Sequence, residues 1–456
     1  MLDQAREQLR LNQDGGFEHH HGRGGASPLR GRVIKSLLFF AAAFLICNYI
    51  WLDQYFGPVK ADQIIFHLQV PMQATSNSFF PSYLARCLVL PALLAFFYGL
   101  MLGWAARPGR AEKYRFLSSW GLAISLLFGS LIYGEMKLEV HRPLAHLLGF
   151  GEEWRGSAER SQQLEQARPT KNLVLIFLES MEETYASADI FGRNLLSELE
   201  AVKEFSFENF HEVNGARWTL AALTANLCGR PATVFRGDHQ GRFWPETVCL
   251  PDVLAAHGYN LRFFQGGDSR FAGTDWFLRD HHLAPARDLV YYQNRPELSG
   301  KIGAPDWGFK DSVLYALARE ELTELGARPE PFALIMMTID THGVDGFLDE
   351  DCPREFDDFR DVVRCGSRMA AEFVTWIKNQ KFGPETVIVV VADHQVMANT
   401  ISKKYLEPQG SNRRLFNTII GVEFRERPDP DRPMSHLEML PLILETLAAN
   451  PDKAEQ

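Results

Sequence analysis

From Leu173 to Leu178 six apolar residues follow one another without a break, and a carboxylate, Glu179, comes next. A strand with one wet face would alternate apolar and polar residues. An unbroken run suits a central parallel strand covered on both faces. Ligand sites in sheets of this kind gather outside the carboxyl ends of the strands, so Glu179 stands where chemistry collects. A second stretch repeats the design: Thr386 to Ala392 leads into Asp393 and His394. Two buried strands that deliver carboxylates and an imidazole point to one shared divalent-metal site.

Strands and helices alternate along the same half of the chain. Helices are expected near Asn194–Val202, after Trp218, near Pro251–His257 and near Phe359–Asn379, with strands at Asn260–Phe264 and Phe332–Ile339. The stretch Phe205–Val213 falls among them as a further element. The fold class is α/β, an α/β sandwich with a mainly parallel central sheet spanning residues 171–448, followed by a tail, 449–456.

Before residue 137 the composition changes. Val33–Leu52, Leu84–Ala105 and Leu117–Met136 are each long and apolar enough to span a bilayer as helices. They make residues 33–137 a membrane domain, and the first reads as an uncleaved anchor because no small-residue cleavage pattern follows it. Arg23, Arg30, Arg32 and Lys35 precede the first span, and Arg107, Arg110, Lys113 and Arg115 separate the second and third, whereas the loop from Asp53 to Tyr83 carries Lys60 as its one Lys or Arg. The positive-inside rule puts the N-terminus in the cytoplasm and the large C-terminal part outside. Residues 1–32 read as a disordered polar tract in which His19, His20 and His21 are solvated, and 138–170 as a charged linker. The external stretch Asp62–Pro71 is amphipathic and suits the membrane surface or the underside of the soluble domain, with His67 packed at the interface. A formal net charge of −10 argues against nucleic acid as a partner, since that binding needs clustered cations.

Cys47 and Cys87 fall in the spans and read as small apolar residues. Cys228, Cys249, Cys352 and Cys365 fall in the external domain, where an oxidising compartment favours disulfides. Pairing sequence neighbours, Cys228 with Cys249 and Cys352 with Cys365, is the simplest of the three possible arrangements. Zinc is the rival use of four thiols, but no CxxC pair supports it.

Asn214–Cys228 is a Gly-containing turn running into an apolar helix, so Thr219 falls near a helix N-terminus. That position suits an N-cap, and it equally suits an anionic phosphate. A threonine hydroxyl is a weak nucleophile until a base or a metal lowers its pKa, and Glu179, Asp393 and His394 could hold that metal.

The order LES, then GARWT about forty residues on, then TIDTHGVDGF, then a strand ending in ADH resembles the alkaline-phosphatase/sulfatase superfamily. Within it, the chain is most similar to membrane-anchored phosphoglycerol transferases, the branch of lipoteichoic-acid synthase and of the enzyme that decorates osmoregulated periplasmic glucans. The resemblance covers about residues 165–445. It implies that Glu179, Thr219, Asp393 and His394 bind a divalent metal, manganese in this family with magnesium or zinc as alternatives, and that Thr219 is also the nucleophile. It places His342 as the substrate-phosphate histidine, and Gln265, Asp268 and Arg270 in the head-group segment beside Trp218. Gln265 departs from the lipoteichoic-acid branch, which carries histidine there, and Gly343 departs from the glucan branch, which tends to carry a second histidine.

The resemblance implies transfer of glycerophosphate from phosphatidylglycerol to a hydroxyl of a periplasmic glucan or related polymer, with diacylglycerol released, at a bacterial inner membrane. Two related activities compete. A sulfatase would need a Cys or Ser nucleophile, and Cys228 begins CGRP with its proline one place late. Phosphoethanolamine transfer also uses threonine and a metal. A non-catalytic glucan-assembly partner is the alternative from another class.

Overall fold

The computed structural model describes residues 28–70, 79–107, 120–148, 164, 167–232, 241–298, 302–303, 308–343, 345–424 and 426–448. The N-terminal tract with its three histidines, the basic loop 108–119, most of the expected linker and the tail lie outside them. The chain divides into two compact units. One comprises residues 1–47 and 85–132, the other 48–84 and 133–456.

Among the described residues three helices are long and apolar enough to cross a membrane: α1 (Pro28–Tyr55), α3 (Phe80–Ala105) and α4 (Trp120–Leu138). Their apolar side chains do not converge on one stripe. Leu93, Phe96, Phe97, Leu100, Phe128 and Leu131 are all exposed, a surface suited to hydrocarbon rather than water.

The larger unit is built on a five-stranded sheet. Strands β1 (Asn172–Leu178), β2 (Asn260–Gln265), β3 (Phe332–Met337), β4 (Thr386–Ala392) and β5 (Asn417–Ile420) lie in the order β2-β3-β1-β4-β5. All pairs are parallel except β4 with β5. The unbroken apolar run of β1 has its reason here: every residue from Leu173 to Leu178 is buried. Helix α7 (Asp311–Leu325) packs on α8 (Phe359–Lys378), and α5 (Thr219–Cys228) on α6 (Leu250–Ala256) and α9 (Met439–Leu447). Cys228 is bonded to Cys249 and Cys352 to Cys365.

Two features depart from the sequence reading. Phe205–Val213 forms no regular strand; Phe205 and Phe210 make single bridges to Ile419 and Met434. The antiparallel edge β5 is a strand that the sequence reading lacked. Its Asn417 and Thr418 side chains donate to the carbonyls of Phe207 and Phe205, so its polar residues bond to the covering segment instead of to water.

Register brings Leu178 beside Ala392, so the residues after β1 and β4 emerge together. They are also fastened together further on. Arg413 grips the fully buried Glu182 through Nε, 2.8 Å from Oε2, and through a second guanidinium nitrogen, and Val396 N–H donates to Glu182 Oε1. Removing one partner of such a pair leaves a buried charge uncompensated. Glu182→Ala is therefore expected to lower stability by about 3–5 kcal/mol in denaturant unfolding of the solubilised chain; a loss within the ordinary scatter of surface substitutions would contradict this.

Candidate active site

Glu179 ends the β1 run, and Ser180 turns the chain with φ of +53°, a region costly for a residue with a Cβ. The turn aims two bonds: Ser180 Oγ donates to Glu179 Oε1 at 2.7 Å, and Ser180 N–H donates to Asp393 Oδ1 at 2.8 Å. Thr338 and Thr341, in the segment after β3, hold the Glu179 backbone, Thr338 Oγ1 accepting its N–H and Thr341 donating to its carbonyl. Asp393 Oδ1 also accepts the N–H of His394. Its other oxygen, Oδ2, is buried and has no hydrogen-bond donor among the described residues.

His394 Nδ1 stands 2.9 Å from the carbonyl of Gln395. A carbonyl only accepts, so Nδ1 carries a hydrogen, and Nε2 is the atom that presents a lone pair once its own proton is displaced. Nε2 lies 3.3 Å from Thr219 Oγ1, 3.3 Å from Asp393 Oδ2 and 3.6 Å from Glu179 Oε1. Thr219 is the first residue of α5, entered through Gly215, whose φ of +76° and close approach to Pro231 leave no room for a Cβ.

Electrostatics follow from burial. Burial, reinforced by Glu179, pushes the Asp393 carboxyl up to about 7. Burial pulls His394 down, but Asp393 and Glu179 outweigh it and leave its pKa at about 9. Two carboxylates and an imidazole whose Nε2 can give up its proton, with ligand atoms within 4.8 Å of one another in Glu179, Asp393 and His394, fit a divalent cation. Among the described residues one other such cluster exists, Cys249, Asp252 and His281, but Cys249 is held in a disulfide.

These groups open on a cavity of about 1670 Å³. Glu179, Trp218, Thr219, Gln265, Asp268, His342 and His394 all line it. Burial lowers the His342 pKa to about 4, assisted by the nearby His394, so this ring is neutral at pH 7. Arg270 is not among the lining residues; its guanidinium is exposed and locked onto Asp268. Asp393 lies behind His394 and does not line the cavity either.

Three residues that the sequence reading did not select complete the surroundings. Glu212 accepts the Gln395 N–H at 3.0 Å and faces Arg217, which lines the cavity one residue before Trp218. Arg413 lines it as well. The arginine of GARWT was visible in the sequence, but its partner Glu212 has no local motif to mark it.

Residues 171–447 match the sulfatase family. The chain belongs to that family. Phosphoglycerol transferase I of Citrobacter koseri is 33% identical over 344 residues, 72% of this chain and 44% of the relative. The protein of the same name from Salmonella paratyphi B is 36% identical over 264 residues, 54% of this chain and 34% of the relative. The chain thus spans less than half the length of these curated relatives. The integral membrane lipooligosaccharide phosphoethanolamine transferase A of Neisseria meningitidis shares the fold, with a TM-score of 0.50 and 13% identity over 91% of this chain and 84% of that one. In this sulfatase-family chain the thiol of Cys228 is engaged by Cys249, which removes it as a nucleophile.

A cation at this centre must displace the proton that Asp393 and Glu179 hold on His394 up to about 9. Apparent affinity for Mn2+ should therefore rise with pH, roughly tenfold per unit between pH 7 and 9. Equilibrium dialysis across that range checks it, with Asp393→Ala as the variant expected to lose the ion; a flat profile would contradict the assignment.

Proposed function

We propose that the chain is a metal-dependent phosphotransferase of a bacterial inner membrane. Its domain faces outward and moves glycerophosphate from phosphatidylglycerol to a hydroxyl of a glucan or related polyol. The observation that carries this reading is Thr219 Oγ1 at the start of α5, 3.3 Å from His394 Nε2. The cavity it faces has aromatic walls at Trp51, Tyr55, Phe79 and Tyr83 as well as polar ones. A lipid offers both kinds of surface.

Glu179, Thr219, Asp393 and His394 would hold the metal, manganese by resemblance, and a bound divalent cation supplies charge that acidifies a hydroxyl and stabilises phosphate oxygens. Thr219 Oγ forms a bond to phosphorus as the bond from phosphorus to the diacylglycerol oxygen breaks. The proton lost by Thr219 ends on that oxygen, and glycerophosphoryl-Thr219 remains. An acceptor hydroxyl then displaces Thr219, which recovers a proton. Neutral His342 would donate an N–H to a phosphate oxygen or receive the acceptor's proton. The backbone clamps on Glu179 and Asp393 keep these groups in place between the two half-reactions.

Phosphoethanolamine transfer is the second reading, because the Neisseria protein of that name shares this fold over most of both chains. The donor separates the two. Incubation of the solubilised chain with Mn2+ and phosphatidylglycerol is expected to leave a glycerophosphate adduct on the peptide containing Thr219 and to release diacylglycerol. Thr219→Ala should form no adduct and lower turnover by roughly a thousand-fold or more. An ethanolamine phosphate adduct from phosphatidylethanolamine, with none from phosphatidylglycerol, would establish the second reading; no adduct from either lipid would favour the assembly-partner role.

A further inference from the structure

Residues 48–84, from the last turns of α1 to the start of α3, belong to the same compact unit as the sheet. Within them α2 (Ala61–Gln69) is bound to the wall of the cavity. Phe66 is 1% exposed, with its ring 5.3 Å from Trp218 and 6.3 Å from Phe243. The next residue, His67, lines the cavity, its ring 6.0 Å from Trp218 and 6.5 Å from Phe271. Trp218 directly precedes Thr219, so this helix reaches to within one residue of the proposed nucleophile. The transfer reaction described above uses none of its atoms.

The hydrogen-bonding state of His67 is fixed by its surroundings. Nδ1 lies 2.8 Å from the carbonyl oxygen of Gln63, which accepts only, so Nδ1 carries a hydrogen. Burial lowers the pKa of the ring and keeps it neutral. Nε2 is then an acceptor, and it has no hydrogen-bond partner among the described residues. Beside it, Trp218 Nε1 is a buried donor that finds no acceptor among the described residues. An open acceptor and a buried, unpartnered donor on two rings 6.0 Å apart match a hydroxyl, which can both give and receive. An ammonium has hydrogens to give and no lone pair to receive, so it satisfies only the imidazole.

We propose that His67 Nε2 accepts a hydrogen bond from a hydroxyl of the donor lipid's polyol head group, with Trp218 Nε1 as the complementary donor. The segment between the first two apolar helices thereby forms one wall of the donor subsite. The proposal rests on the phosphatidylglycerol reading above and adds a residue that selects the head group.

The test is lipid retention by the full solubilised chain carrying Thr219→Ala, read by native mass spectrometry. The lipids are an equimolar mixture of phosphatidylglycerol, phosphatidylethanolamine and phosphatidylpropanol with matched acyl chains. Phosphatidylpropanol has no free head-group hydroxyl. Retention of phosphatidylglycerol is expected to exceed that of phosphatidylpropanol by roughly 3- to 10-fold, the range for one neutral hydrogen bond. His67→Phe in the same background should bring the ratio to about one, while His67→Gln, which keeps an acceptor, should preserve part of it. An unchanged ratio in His67→Phe, an equal loss of all three lipids, or no preference in the parent chain would each overturn the proposal. If His67→Phe does not fold, the parent ratio and His67→Gln still decide it. A retained preference without any adduct on Thr219 in the native chain would remove the transfer reaction and leave the head-group contact standing.

Discussion

Glu179 and Asp393 are buried side by side at the ends of neighbouring strands, and like charges so placed repel unless a proton or a cation stands between them. Much of the surrounding structure answers that repulsion. Asp393 Oδ1 takes two backbone N–H groups, Glu179 takes the Ser180 hydroxyl, and His394 stands against both carboxylates. Asp393 Oδ2 makes no hydrogen bond among the described residues and has His394 Nε2 3.3 Å away. A centre with this much buried negative charge and one open oxygen is organised for a positive ion, and Thr219 Oγ1 stands at its edge.

The parallel register makes the juxtaposition possible. β1 and β4 pair residue for residue from Asn172 with Thr386 to Leu178 with Ala392. A slip of one position would turn every β4 side chain to the other face and carry His394 away from Glu179. Outside the sheet, the Glu182–Arg413 pair ties the turn after β1 to the chain beyond His394, and Glu212 holds Gln395. These contacts involve charged groups that are costly to bury, and they fasten the loops that carry the site.

The parts of this arrangement that were legible in the sequence share a physical signature. Leu173–Leu178 and Thr386–Ala392 are buried on both faces, and burial of that kind leaves an unbroken apolar run whose end can be read directly. The three apolar helices and the start of α5 were legible for similar reasons, through length, hydropathy and a glycine turn. What escaped depends on partners distant in sequence. β5 is short and half polar, and its Asn417 and Thr418 make sense only against Phe207 and Phe205, some two hundred residues away. Glu182 and Arg413 carry no local pattern at all. Asp62–Pro71 showed its amphipathic face, but a choice between bilayer and protein as its partner required Phe66 to be seen against Trp218. Arg270 lay in the head-group segment by sequence, and only the structure shows that its guanidinium is paired with Asp268.

The central claim is that one divalent cation is held jointly by residues from the ends of β1 and β4 and by the first hydroxyl of α5. Anomalous scattering from crystals of the Mn2+-loaded chain, collected on both sides of the manganese absorption edge, tests it most directly. The account predicts one strong peak within bonding distance of Glu179, Thr219, Asp393 and His394 together. A peak away from these residues, or an ion bound by the carboxylates with the Thr219 hydroxyl outside its coordination shell, would contradict it.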